Sequence, residues 1–316
     1  MSPAARGHLA MLAFSALVAG SFSLGSRSAN DIDPAAFTAV RFVLASVLLG
    51  LLVWQRGGAP KGSFAAPWRF AVLGGLFGVY FVLMFEGLKT APPVSAAAVF
   101  TLVPLMSALF GWMLLRQILT ARMATALGIG GIGALWVIFR ADFAAFAAFD
   151  VGQGEMIYFV GCIAHAIYTP MVARLNRGET AVILSFGTTV AGGILLMLYA
   201  WPVLMAVEWT ALPGRVWVTL FYTCVFATAI TVVLVQYATM RLPSAKVMAY
   251  TYLTPSWVIV WEIMLGGGAP VALVLVGVAL TVAALLMLLR DDSPAVRVSP
   301  GDPAVPPPET AQTRPD

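Results

Sequence analysis

Ten stretches of this chain are apolar for about twenty residues each, the length a helix needs to cross the hydrocarbon of a bilayer. They run approximately Leu9 to Gly25, Pro34 to Trp54, Phe70 to Leu88, Pro93 to Leu115, Met123 to Phe139, Glu155 to Leu175, Ala181 to Trp201, Val216 to Tyr237, Pro243 to Leu265 and Pro270 to Leu289. Lipid offers the backbone no hydrogen-bond partner, so such runs must satisfy themselves as helices. The composition agrees with that solvent. Of 316 residues, 60% are hydrophobic and 10% charged, with a mean hydropathy of +0.92, whereas soluble domains carry about a quarter charged residues. The chain is expected to be an all-α integral membrane protein with ten transmembrane helices.

Two segments repeat each other. PPVSAAAVFTLVP at Pro92 to Pro104 reappears as PSAKVMAYTYLTP at Pro243 to Pro255, a shift of 151 residues and about half the chain. Similarity at that period marks a duplicated architecture. Each half holds five spans, an odd number, so the second must enter the membrane in the opposite sense to the first. The expected plan is two inverted five-helix repeats, residues 1–140 and 151–290. Inverted halves are a recurring plan of carriers, with the site near the midplane where broken helices meet. Residues 290–316 hold seven prolines and mixed charge without an aliphatic run, which predicts a disordered cytoplasmic tail over 291–316. With the N-terminus inside, thirteen of the eighteen lysines and arginines fall at or beyond the inner side and four outside, as the positive-inside rule requires. Both termini are therefore expected in the cytoplasm, with the chain in the plasma (inner) membrane.

Polar groups at lipid depth are expensive, and each needs a reason. Arg41 sits about two turns, roughly 10 Å, below the outer end of the second span at 1.5 Å per residue. It reads either as a clamp on neighbouring carbonyl groups or as a contact to a solute carboxylate. Lys246 lies one turn inside the start of the ninth span, where the repeat places Ser95 in the fourth; it either snorkels to the interface or attracts an anion. His165 lies near the middle of the sixth span, just before Tyr168, Thr169 and Pro170, either as a neutral imidazole on a carbonyl or as a proton relay. Glu86 and Glu262 fall in outer last turns, and Lys89 three positions after Glu86 allows an interfacial ion pair.

The prolines at 104 and 255 remove a backbone donor and free a carbonyl one turn earlier, near Phe100 and Thr251. A bend for packing is one reading. A symmetric pair of breaks at mid-membrane points instead to cavity walls, with Ser95, Thr101, Pro104, Tyr250, Thr251, Thr254 and Pro255 as lining candidates beside Arg41, His165 and Lys246. Gly74 and Gly78, and Gly128, Gly130, Gly131 and Gly133, read as close helix contacts. Cys162 and Cys224 lie inside spans and read as small hydrophobes. No phosphate-binding G-x-x-x-x-G-K-S loop or H-E-x-x-H appears, so no cofactor or metal is expected. The expected partners are a small-molecule solute and membrane lipids, not nucleic acid, with a homodimer left open.

Five pieces in order carry a resemblance to a known family: AGSFSLG in span 1, AVRFVLA in span 2, the LVP and LTP breaks in spans 4 and 9, ALWVIFR closing span 5 and AIYTPMVARL closing span 6. Over residues 9–290 the chain resembles the drug/metabolite transporter superfamily, in its ten-helix EamA branch. Members often close helices 4 and 9 with a glycine–glutamate pair, where this chain has Leu115-Arg116-Gln117 and Gly266-Gly267-Gly268, so a role for those acids does not carry over. The resemblance implies a secondary transporter of small metabolites, often amino acids. With Arg41 and His165 as the deep groups and no acid in span 6 deeper than Glu155 at its mouth, the inventory favours neutral, zwitterionic or anionic solutes moved by alternating access, with export the expected direction. A flippase for lipids or lipid-linked sugars is the alternative. An intramembrane enzyme is the more distant one.

Overall fold

A computed structural model describes residues 3–116, 120–148, 151–239, 247, 249–268 and 270–289. Its helices are α1 (Pro3–Ser28), α2 (Pro34–Gln55), α3 (Pro67–Gly87), α4 (Pro93–Phe100), α5 (Val103–Leu115), α6 (Ala121–Ile138), the short α7 (Phe143–Ala147), α8 (Gln153–Leu175), α9 (Ala181–Ala206), α10 (Gly214–Cys224), α11 (Thr231–Thr239), α12 (Thr254–Met264) and α13 (Val274–Leu289). Counting α4 with α5 as one span and α10 through Val235 as another, eight helices among the described residues are long and apolar enough to cross a membrane. The expected ninth and tenth spans are represented by shorter apolar helices, α12 and the 16-residue α13. The start of the ninth span, with Lys246, and the tail over 291–316 lie outside the described residues. Large apolar side chains such as Leu51, Leu198 and Val218 point outward, which suits lipid and not water. Among the described residues Cys162 and Cys224 are buried free thiols.

Local chemistry sets the helix ends. Asp33 caps α2, its carboxylate accepting from the backbone N–H of Ala35 at 2.8 Å and Ala36 at 3.0 Å, while Pro34 occupies the first turn, where no N–H is missed. Thr120 and Thr180 cap α6 and α9 in the same way. Asp33→Ala is expected to cost about 1 kcal/mol, read as a lower melting temperature in detergent, with Asp33→Asn retaining most of the stability.

The halves meet counterpart to counterpart. Helix α2 packs on α9, the α4 segment on α12, and α6 on α13. Each of the long pairs is antiparallel, as contact positions show. Gly50 of α2 faces Phe186 of α9 and Phe42 faces Gly192, while Ala35 and Ala36 cluster with Ala200 and Leu204. Likewise Leu127 of α6 clusters with Leu285 of α13, Gly133 meets Gly277, and Val137 packs with Val274. Helices that correspond in sequence yet run oppositely where they touch are what an inverted repeat produces.

Glycine makes these approaches close. A Cβ on Gly74 would stand 2.4 Å from the amide nitrogen of Gly192, one on Gly87 would stand 2.6 Å from the Gly154 carbonyl oxygen, and one on Gly133 would stand 2.6 Å from the Gly277 carbonyl oxygen. All three pairs join the first half to the second. In lipid, where apolar burial between helices brings little, such backbone proximity is a main source of cohesion.

Candidate functional site

The fourth and ninth spans break where the prolines predict. Helix α4 ends at Phe100 and α5 begins at Val103, with Pro104 in its first turn; the ninth span passes from a 3₁₀ turn over Tyr250–Leu253 into α12, with Pro255 in its first turn. The Thr254 hydroxyl donates to the Thr251 carbonyl at 2.7 Å, the group that Pro255 leaves without its usual donor, and Thr101 donates to the Ala98 carbonyl at 2.7 Å. The Thr254 hydroxyl therefore mends the second break, whereas Thr101 serves the Ala98 carbonyl and not that of Phe100, the one Pro104 frees. Segments α4 and α12 pack against each other, so the paired breaks share one region of the core.

Arg41 lies on α2 with 1% of its surface exposed. Its Nη2 donates to the Thr228 hydroxyl at 3.3 Å, and its guanidinium carbon lies 3.8 Å from the centre of the Phe81 ring. Among the described residues Nε and Nη1 are buried with no hydrogen-bond partner. The expected clamp on carbonyl groups is thus absent from the contacts of the guanidinium. Thr228 reaches Arg41 because residues Val225–Ile230 form one widened π turn between α10 and α11, and π turns recur at functional positions. Its own hydrogen goes to the Thr223 carbonyl five residues back, at 2.8 Å, which leaves an oxygen lone pair for the guanidinium.

From Phe81 an aromatic wall extends along α3 onto α8. Phe77 meets Phe81 at 4.6 Å and stacks on Tyr168 at 4.9 Å between centroids, and Tyr80 lies 4.4 Å from His165. The hydroxyls of Tyr80 and Tyr158 share a hydrogen bond of 3.0 Å. Phe100, the last residue before the break in α4, lies 5.8 Å from the His165 ring and 6.1 Å from that of Tyr80. Among the described residues His165 Nδ1 is buried without a partner. Arg41, His165 and the Thr101 end of α4 accordingly border one cluster.

Other candidates fall elsewhere. Ser95 donates to Glu155 at 2.8 Å, both buried at the end of the bundle where α3 gives way to α4. Tyr250 shares a 2.9 Å hydrogen bond with His8 near the opposite end. The two outer acids are paired: Glu86 with Lys89 at 2.7 Å, as their spacing predicts, and Glu262 with Arg27 at 3.0 Å. The sequence reading passed over Phe77, Tyr80, Phe81, Tyr158 and Thr228. The first three sit at the i, i+3, i+4 spacing of one helix face, a signal that was available; the π turn carrying Thr228 had none.

Two further ion pairs correspond across the repeat. Arg69, in the first turn of α3 after Pro67, bonds Glu179 of the α8–α9 connection at 2.8 Å; Arg215, in the first turn of α10 after Pro213, bonds Asp31 of the α1–α2 connection, Nη2 to Oδ1 at 2.6 Å. The P-x-R spelling in both places is a second internal repeat. The two pairs sit at opposite ends of the bundle and differ in hydration, with side-chain exposures of 1% and 4% for Arg69 and Glu179 but 59% and 13% for Arg215 and Asp31. The Arg215 guanidinium holds the Asp31 carboxyl below its usual range.

A surface groove of about 370 Å³ lies between α2 and α9, lined by Val43, Val47, Val190, Ile194 and Leu198 with Ser46 as its hydroxyl. Ser46 donates to the Phe42 carbonyl at 2.7 Å, so the groove offers almost no polarity.

The sequence matches the EamA-like transporter family twice, over residues 5–139 and 152–290. It is 25% identical over 226 residues to the uncharacterized transporter YyaM of Bacillus subtilis, covering 71% of this chain and 74% of that one. It is 29% identical over 216 residues to the aromatic amino acid exporter YddG of Ancylobacter novellus, covering 65% and 73%. A solved crystal structure superposes with a TM-score of 0.63 at 22% identity, over 90% of this chain and 96% of the other, a likeness of fold.

Proposed function

Because the chain belongs to the EamA-like transporter family, we propose that it is a secondary transporter that moves amino acids or related neutral, zwitterionic or anionic metabolites outward by alternating access. The observation that carries this reading is the pair of proline-broken segments, α4 and α12, meeting in the core of two antiparallel halves. Broken helices tolerate their freed backbone groups only against protein or a wet cavity, and two of them at a repeat interface mark the place where a carrier holds its solute. The sign of the solute follows from Arg41 and His165, neither of which has an acidic partner among the described residues. Export is the direction named for the Ancylobacter relative.

In this reading residues 1–140 and 151–290 rock as two units, and the end bearing Arg69 faces the cytoplasm of the inner membrane, where the excess of lysine and arginine places it. The solute and the surrounding lipids are its partners. A flippase is disfavoured by the groove between α2 and α9, which opens sideways yet has no track of polar groups for a headgroup.

Counterflow in proteoliposomes, with amino acids and organic acids pooled outside, tests the assignment. Accumulation of a water-soluble solute is the expected result; lipid scrambling without solute movement, or chemical conversion without flux, would replace it.

A further inference from the structure

Resting on that transporter reading, we propose that Arg41 anchors the carboxylate of an aryl monocarboxylate whose ring is received by the Phe77, Tyr80 and Phe81 face of α3, and that the site takes no account of an amino group. Arg41 carries five N–H donors in a planar fork, a shape that matches a carboxylate at two points. One nitrogen has the Thr228 hydroxyl; the other two are buried and unanswered. A charge left so in a region of low dielectric is costly until an anion arrives. The Phe81 ring beneath the guanidinium at 3.8 Å holds it flat without consuming a donor, as a cation–π contact does.

The ring half of the proposal comes from the same wall. Tyr80, Phe81, Phe77, Tyr168 and His165 form a continuous series of ring contacts leading away from the guanidinium, and Phe100 joins that series to the break in α4. Aromatic surfaces stack on aryl groups in offset or edge-on arrangements. Movement of the broken helix would therefore open or close the ring site directly.

Among the described residues no carboxylate is paired with Arg41 or with His165 to draw an ammonium group to the site. Glu155 is held by Ser95, Glu262 by Arg27, Glu86 by Lys89 and Glu179 by Arg69. The selectivity expected is thus carboxylate required, aryl group required and amine dispensable.

Thermal stabilisation of the purified wild-type chain in nanodiscs reads this with four probes: phenylacetate, phenylalanine, phenethylamine and acetate. Phenylacetate and phenylalanine should raise the melting temperature and compete with each other, while phenethylamine and acetate should not. Arg41→Gln should weaken phenylacetate at least about tenfold, the size of a lost charge-assisted hydrogen bond, and Phe81→Leu should weaken it without creating a response to phenethylamine. The wild-type series stands even where a variant does not fold. Equal stabilisation by phenethylamine, or unchanged phenylacetate affinity in folded Arg41→Gln, overturns the site. So does counterflow of an aliphatic solute in protein that ignores phenylacetate, an outcome that leaves the transporter reading intact; absence of flux for every pooled solute strikes that reading instead.

Discussion

Gly74→Ala is expected to release much of the contact between α3 and α9, although it adds a single methyl group. The new carbon would lie 2.4 Å from the Gly192 nitrogen and 2.6 Å from the Thr188 carbonyl oxygen. Both are backbone atoms of a packed helix, so no side chain can turn aside, and the helices must separate by about an ångström to restore ordinary contact. Overpacking of this kind costs about 1–3 kcal/mol in a well-filled core. Gly74→Leu exceeds what local adjustment can absorb and should abolish the monodisperse protein. The neighbouring residue supplies the control. A Cβ on Gly75 would find only the Leu195 Cδ1 atom, at 3.8 Å, so Gly75→Ala should match or slightly exceed the wild type, as removal of a helix glycine allows. Size-exclusion profiles and melting temperatures of the two alanine variants decide the matter: equal behaviour would show that the close crossing contributes nothing.

The second large effect is expected at the Arg69 end. Arg69 donates to Glu179 at 2.8 Å, to the Leu175 carbonyl at 2.6 Å and to the Ser63 carbonyl at 3.2 Å. Arg69→Ala leaves the Glu179 carboxylate with the Arg177 N–H but no counter-charge and takes a donor from two carbonyl groups, a loss approaching the roughly 3–5 kcal/mol of a broken buried pair. Replacing both members with apolar residues should cost less than either single change, because the desolvation of both charges disappears with them. Acidity gives an independent handle. The hydrogen bond from Arg69 is the main influence pulling the Glu179 carboxyl down from 4.5 to about 2, with the backbone N–H of Arg177 assisting and burial opposing. A depressed carboxyl stabilises the fold fully above its unfolded value, and that stability is lost as pH falls through the folded one. The melting temperature should therefore decline as pH drops from about 4.5 toward 2, and Glu179→Gln should flatten that part of the curve.

Most of the framework could be read before any coordinates because lipid permits so few solutions. Long apolar runs had to be helices, Pro104 and Pro255 had to interrupt the backbone ladder, and Lys89 three residues after Glu86 had to lie within its reach. Contacts that depend on tertiary meeting were hidden. Arg27 and Glu262 are separated by 235 residues, and nothing in either neighbourhood names the other. Ser95 read as a cavity residue on the strength of its place in the repeat, yet its hydroxyl serves Glu155. Tyr250 shares the repeated segment with Thr254 but belongs to His8. Arg41 was legible as costly but not as incomplete, since only the π turn at Val225–Ile230 brings Thr228 to it. The repeated P-x-R of Arg69 and Arg215 was present in the letters and points to the two corresponding ion pairs.

Those two pairs are fastenings of one design set at opposite doors, and they are not equally strong. Parting Arg69 from Glu179 means rehydrating two charges from which water has been shut out, whereas Arg215 is already wet before it lets go of Asp31. Under the alternating access proposed above, a machine whose halves are otherwise built alike would acquire a preferred idle posture, with the Arg69 door the harder to swing. Salt should loosen the Arg215 fastening first, so ionic strength becomes a means of tilting the molecule toward one side of the membrane without touching the solute it carries.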